Sequence, residues 1–180
     1  MLLRIYREST TDELTGTINR RLLMKHLEKA RETLIESDQP FALLLLDVDR
    51  FKRINDIYGH LVGDAVLKDI AVTLNEQLEP SMVLGRYGGE EFAVVIENCA
   101  DSDYVLCIAE RLRTAIEGHL VKNPISDEML DITVSIGLTL AKFSEDISQL
   151  INRADRCLYQ AKMAGRNCVV ADELSFQTKD

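Results

Sequence analysis

An α+β domain, with a central, mostly antiparallel sheet and helices flanking it, is what this sequence predicts. Three observations carry the expectation. The run Phe41–Leu46 is wholly apolar and ends in Asp47-Val48-Asp49, as a strand buried on both faces does at the rim of a sheet. The runs Met82–Tyr87 and Glu91–Glu97 are joined through Gly88-Gly89, the pattern of a β-hairpin. Between and around these runs, apolar residues recur at helical spacing.

Taken in order, Leu23, Leu27, Ala30 and Leu34 mark the first helix, with Asn19 placed to cap it. Strand Phe41–Asp49 follows Pro40. Arg50–Tyr58 reads as a short helix capped by Asp49 and stopped near Gly59. Leu67, Ile70, Ala71, Leu74 and Leu78 form a second long stripe, and Val105, Ile108, Ala109 and Leu112 a third. The segment Val121–Leu130 reads as a polar surface loop. Ile132–Leu140 alternates and is rich in β-formers, so it is expected to be a strand. Ile147–Ala164 is the last helix, closed by Gly165, and a final strand is expected over Cys168–Ala171. The element order matches a βαββαβ core, ferredoxin-like or palm-like, with additions.

Composition narrows the function. The 180 residues suffice for one domain with a hydrophobic core. Hydrophobic residues make up 46% and charged residues 28%, an ordinary globular mix, and no apolar run approaches the roughly 20 residues of a membrane span. Met1–Tyr6 has no long apolar stretch with a small-residue cleavage site, so no signal peptide is read. The net charge of −9 argues against a nucleic-acid backbone as partner. A nucleotide remains compatible, since a metal ion can supply positive charge. Cys99, Cys107, Cys157 and Cys168 form no C-x-x-C pair and read as reduced thiols. His26, His60 and His119 are scattered without ligand spacing.

The remaining chemistry is in charged residues. Asp47 and Asp49, two apart on a strand, share a face at the sheet rim, where hard cations bind. Equally, Asp49 could cap a helix and Asp47 be solvated. Gly88-Gly89 permits positive φ and close backbone approach to a ligand. Glu90 and Glu91 repel one another unless a cation or proton intervenes. Read alone, the segment is also compatible with a solvated turn. Lys162 and Arg166, four apart, project from one helix face and suit phosphate, or simply a helix C-terminus. Asn55 and Asp64 flank Tyr58-Gly59-His60, and an acid there can accept from the adjacent N–H donors of guanine.

Order and spacing sharpen this. Asp12-Glu13-Leu14-Thr15-Gly16 with Asn19-Arg20-Arg21, Asp47-Val48-Asp49-Arg50-Phe51-Lys52 with Asn55-Asp56, Gly59-His60 with Gly63-Asp64, and Gly88-Gly89-Glu90-Glu91-Phe92 occur in sequence. Thr133-Val134-Ser135-Ile136-Gly137, Ala154-Asp155, Leu158-Tyr159, Ala161-Lys162 and Gly165-Arg166-Asn167 follow. In this ordered set the chain resembles the GGDEF-type diguanylate cyclases over about residues 10–172.

The resemblance implies condensation of two GTP into cyclic di-GMP with release of two pyrophosphates. It implies Mg²⁺ or Mn²⁺, two per half-site, held by Asp47, Glu90 and Glu91 with the Val48 carbonyl, and catalytic roles for Asp47, Glu90 and Glu91. Asn55 and Asp64 would read guanine; Phe51, Lys52, Lys162 and Arg166 would meet phosphate. Each chain would supply half a site, so catalysis would need a homodimer. Residues 1–11 would be the end of a linker or signalling helix from an upstream sensor, 12–172 the catalytic domain and 173–180 a tail. The domain would be cytoplasmic and touch neither nucleic acid nor membrane, whatever anchors the full-length protein. Many relatives carry an inhibitory Arg-x-x-Asp upstream of the signature; the register here is Glu79-Pro80-Ser81-Met82, without either charge. Two other readings stay open: an inactive module that binds GTP or cyclic di-GMP, and another palm-like nucleotidyl cyclase or polymerase fragment.

Overall fold

The computed structural model describes residues 10–99 and 101–172. The expected linker piece, apart from Thr10 and Thr11, and the expected tail 173–180 lie outside them.

Helix α1, Arg20–Ser37, begins where Asn19 accepts a hydrogen bond from the Leu22 amide, and it buries Leu23, Leu27, Ala30 and Leu34. Strand β1, Phe41–Val48, is buried at every position. Its alternation explains this. Ala42, Leu44, Leu46 and Val48 face one hydrophobic cluster, while Phe41, Leu43 and Leu45 face another. The first cluster is closed by α2 (Phe51–Tyr58), α3 (His60–Glu76) and α4 (Ser102–Glu117); the second by α1 and α5 (Ile147–Met163). Each such leucine contributes about 1.5–3 kcal/mol over exposure.

Strands β2 (Met82–Arg86), β3 (Glu91–Glu97), β6 (Val134–Leu140) and β7 (Val169–Ala171) complete a five-stranded sheet in the order β2-β3-β1-β6-β7. All its pairings are antiparallel except β6 with β7. The expected α+β, mostly antiparallel architecture holds. Helix α5 starts with a reciprocal capping box between Asp146 and Gln149. It then lies directly on β6 at Gly137, where a Cβ would sit 2.2 Å from the Ala154 carbonyl oxygen. That close approach brings the last turn of α5 to the end of β1.

The structure corrects four local readings. Val121–Leu130 is not a plain polar loop. It forms a small hairpin, β4 (Leu120–Lys122) with β5 (Met129–Asp131), whose Val121 and Leu130 are buried in the first cluster. Asp49 does not cap α2: the preceding residue Arg50 stands at φ 57 with no side-chain cap. Leu78 falls beyond the end of α3. Arg166 does not continue α5; it follows Gly165 in a left-handed conformation at φ 70.

Candidate active site

The sheet register assembles the acids. Asp47, near the end of β1, is paired directly with Glu91, the first residue of β3. The Val48 amide donates to the Glu90 carbonyl at 3.2 Å, tying the turn to the same strand end. On the other side, α5 delivers Lys162, whose Nζ lies 2.7 Å from Asp47 Oδ2. Asp47 shares the strand parity of Leu43 and Leu45, which is the face α5 covers.

Electrostatics at this rim are undercompensated. Burial raises the Asp47 carboxyl above its ordinary range; Lys162 offsets part of this, and Glu90 and Asp49 add to it. The Glu91 carboxyl is likewise raised, first by burial, then by Asp47, with Lys162 opposing and Glu90 and Asp155 reinforcing. One ammonium therefore faces a group of five acids, Asp47, Asp49, Glu90, Glu91 and Asp155. Among the described residues, no three acidic, thiol or imidazole side chains close into a metal cage. An open rim of carboxylates short of positive charge fits Mg²⁺, which takes one or two protein carboxylates and fills its shell with water and phosphate oxygens.

The turn itself differs from expectation. Gly88 and Gly89 are absent from the glycines with positive φ. Gly88 is instead where the Glu91 carboxylate comes close, since a Cβ there would lie 2.6 Å from Glu91 Oε2 and push that side chain aside, whereas Gly89 faces no atom within 4 Å. The turn is held from outside by Arg86. Its guanidinium donates to the Gly88 and Gly89 carbonyls at 2.8–3.2 Å and to both Asp12 oxygens at 3.0 and 3.2 Å. Asp12 is in turn fixed by the Thr15 amide and hydroxyl. Burial alone would raise the Asp12 carboxyl, but the Thr15 and Arg86 hydrogen bonds outweigh it and hold it below its usual value. The supporting roles of Asp12 and Arg86 were not read from sequence, although Asp12-Glu13-Leu14-Thr15-Gly16 was among the matching segments. The available signal was a turn pattern with an acid, read without its distant partner.

Asn55 sits on α2 against Gly63 of α3; a Cβ at Gly63 would be 1.9 Å from Asn55 Oδ1. That oxygen is buried and has no hydrogen-bond partner. An unsatisfied buried acceptor of this kind awaits a donor. Asp64, one residue on, is exposed. Phe51 is buried at the start of α2 and Lys52 is exposed. Lys162 and Arg166 do not share a helix face: Lys162 meets Asp47, while Arg166, past the end of α5, lines a cleft with Asp49, Arg50 and Arg53.

Asp49 has a different part. Its carboxylate accepts from Thr133 Oγ1 at 2.7 Å, Ser135 Oγ at 2.6 Å and the Asn167 amide at 3.0 Å, pinning β6 and the segment after α5 to the end of β1.

This fold, with acids at the rim of a mostly antiparallel sheet beside a glycine turn, defines a class, and comparison supplies the family. Residues 9–168 match the family described as diguanylate cyclase, GGDEF domain. The chain belongs to that family. It is 40% identical over 163 residues to the response regulator PleD of Caulobacter vibrioides, covering 90% of this chain and 36% of that protein. It is 37% identical over 169 residues to the diguanylate cyclase DgcZ of Escherichia coli, covering 92% and 54%. The chain thus spans about a third to a half of these relatives' length. Its fold matches the coiled coil and GGDEF domain of DgcB from Caulobacter crescentus, a structure in complex with c-di-GMP. The TM-score is 0.90 at 33% identity, covering 95% of this chain and 90% of that one. No helix among the described residues is long and apolar enough to cross a membrane.

Proposed function

We propose that residues 12–172 form a diguanylate cyclase domain that condenses two GTP into cyclic di-GMP with release of two pyrophosphates. The observation that supports it most is the register placing Asp47 opposite Glu91, with Lys162 within ion-pair distance of Asp47. Asp47, Glu90, Glu91 and the Val48 carbonyl would hold two Mg²⁺ or Mn²⁺ ions, which supply charge stabilisation at the transferring phosphate and lower the pKa of a bound hydroxyl. Asn55, with its unpaired Oδ1, and Asp64 read the guanine edge from the groove between α2 and α3. Phe51 and Lys52 at the start of α2, together with Lys162 and Arg166, take the phosphates. The turn carboxylates accept the ribose 3′-hydroxyl proton as that oxygen attacks the α-phosphorus; the phosphoanhydride bond breaks and pyrophosphate leaves. Each chain carries one GTP, so a homodimer completes the site. An upstream sensor in a longer protein, membrane-anchored or not, would set how often two such domains meet in the cytoplasm.

Product feedback through the segment before the signature is weak or absent in this reading. Glu79 stands where many relatives carry arginine, and it is occupied internally by Arg111 at 2.9 Å and the Tyr104 hydroxyl at 2.7 Å. Initial rates with added cyclic di-GMP check this; tight product binding near Glu79 would overturn it.

The main test is incubation with GTP and Mg²⁺, scored for cyclic di-GMP and pyrophosphate in a 1:2 ratio. The rate should rise faster than linearly with protein concentration, as a dimer requires. Binding of GTP without turnover at high protein concentration would leave a binding module instead. Turnover of ATP as readily as GTP would remove the guanine assignment.

A further inference from the structure

A cleft lies on the side of α2 away from the contact of Asn55 with Gly63. It measures about 470 Å³ and is lined by Arg50, Arg53, Ile54, Ile57, Tyr58, Asp131 and Arg166, with Asp49, Thr133, Gly165 and Asn167 completing the wall. Helical spacing separates the two faces. Arg53, Ile54, Ile57 and Tyr58 fall on the side of α2 opposite Lys52 and Asp56, while Asn55 points at Gly63. The β4–β5 hairpin contributes Asp131 to the lining and is tied to α2 by the Tyr58 hydroxyl donating to Glu128 at 2.8 Å.

The charge arrangement is unusual for a chain of net charge −9. Arg20, Arg31, Arg86, Arg111, Arg113 and Arg153 all donate to acceptors within the domain. The side chains of Arg50, Arg53 and Arg166 make no hydrogen bond or ion pair among the described residues, and all three are exposed at this one cleft; Arg156, whose side chain also makes none, is exposed elsewhere. Arg50 and Arg166 are held at φ 57 and φ 70, a backbone region that non-glycine residues enter rarely. Between the guanidinium groups the wall is apolar, from Ile54, Ile57 and the Tyr58 ring. The Asp131 carboxylate, also without a hydrogen-bond or ion-pair partner among the described residues, lines the same space.

We propose that this cleft binds a guanine nucleotide whose base lies on the side of α2 away from Asn55, while its phosphate end shares Arg166 with the substrate. Three free guanidinium groups suit a phosphate and the O6/N7 edge of the base, to which arginine donates in pairs. The Ile57 and Tyr58 surface takes the flat ring. The Asp131 carboxylate accepts from the adjacent N–H donors that guanine has and adenine lacks. The volume is within the range of small-ligand sites. Occupancy would engage Arg166 and the Arg50 end of the β1–α2 connection, and so withdraw a phosphate ligand from the substrate. That consequence rests on the function proposed above; the binding does not.

The test is titration of the ¹⁵N-labelled protein with GMP, in EDTA. Two sets of amides should shift with separate saturation: one around Asn55 and Asp64, the other around Arg53, Ile57, Asp131 and Asn167. Arg53→Glu should weaken the second set at least tenfold and leave the first unchanged, and Ile57→Glu should do the same; both residues are exposed, so the fold is expected to survive. Asn55→Ala should do the reverse. If millimolar GMP leaves the second set unmoved, or if Arg53→Glu and Ile57→Glu leave its Kd within twofold, there is no second site. AMP binding there as tightly as GMP overturns the guanine assignment. Loss of the first set alone would count against the substrate reading and leave the cleft standing.

Discussion

Asp47 and Asp49 stand two residues apart at the same strand end, and their surroundings differ in kind. Asp49 accepts from two hydroxyls and one backbone amide, all neutral donors within 3.0 Å. Asp47 meets one ammonium and is crowded by Glu90, Glu91 and Asp49, which leaves its carboxyl raised. Neutral donors on three segments make a pin. One cation among several acids makes a site that gains from more positive charge. The pair teaches that a carboxylate's role follows from the sign and number of what surrounds it rather than from its place in a motif.

The strongest test of this contrast is catalytic. Asp47→Ala or Glu90→Ala should lower cyclic di-GMP production on the order of 10²–10³-fold, while melting temperature moves by only a few degrees. A variant with full activity would break the comparison at its functional end.

Asp49→Ala should do the opposite in stability. It orphans Thr133, Ser135 and the Asn167 amide in a buried setting, at a cost of about 3 kcal/mol. Urea denaturation measures this. If Asp47→Ala costs as much, the two acids are not different in kind.

Next in size is the outer support of the turn. Arg86→Ala removes the donor shared by Asp12, Gly88 and Gly89. A loss of about 1.5–3 kcal/mol is expected, the range for hydrogen bonds to charged groups, together with a fall in kcat larger than any change in KM. An unchanged kcat would show that the turn holds its geometry without Arg86.

The smallest effect is a pH signature, with opposite signs at the two supports of the site. Asp12 is depressed in the folded state, so its contribution is fully present above the ordinary value of 3.8 and is lost as pH falls through its folded pKa. The stability gap between wild type and Asp12→Asn should therefore close below pH 3.8. Asp47 is raised, so its charged form weakens the metal-free fold above its folded pKa, and that penalty vanishes below 3.8. In EDTA at neutral pH, Asp47→Asn should be no less stable than wild type. Thermal melts of both variants from pH 7 to pH 3 check the two signs together.

Much of this was legible in the chain. Local chemistry marks elements whose neighbours are near in sequence. Asn19 capped α1 as read, and Phe41–Leu46 was buried on both faces as read. The hairpin around Gly88-Gly89 also lies where the two strand-like runs put it. Composition and spacing also carried the α+β architecture and, through the ordered motifs, the family. What the sequence could not determine was who meets whom across the fold. Asp47 opposite Glu91, Asp49 on Thr133 and Asn167, Arg86 on Asp12, and the buried Val121–Leu130 hairpin all join residues brought together by sheet order and helix packing. The same holds for Arg166, which spacing placed on the helix with Lys162 but Gly165 turned aside into the cleft lined by Asp49, Arg50 and Arg53. A carboxylate's range, a glycine's purpose and an arginine's freedom are set by the field of neighbours, and only the tertiary structure supplies those neighbours.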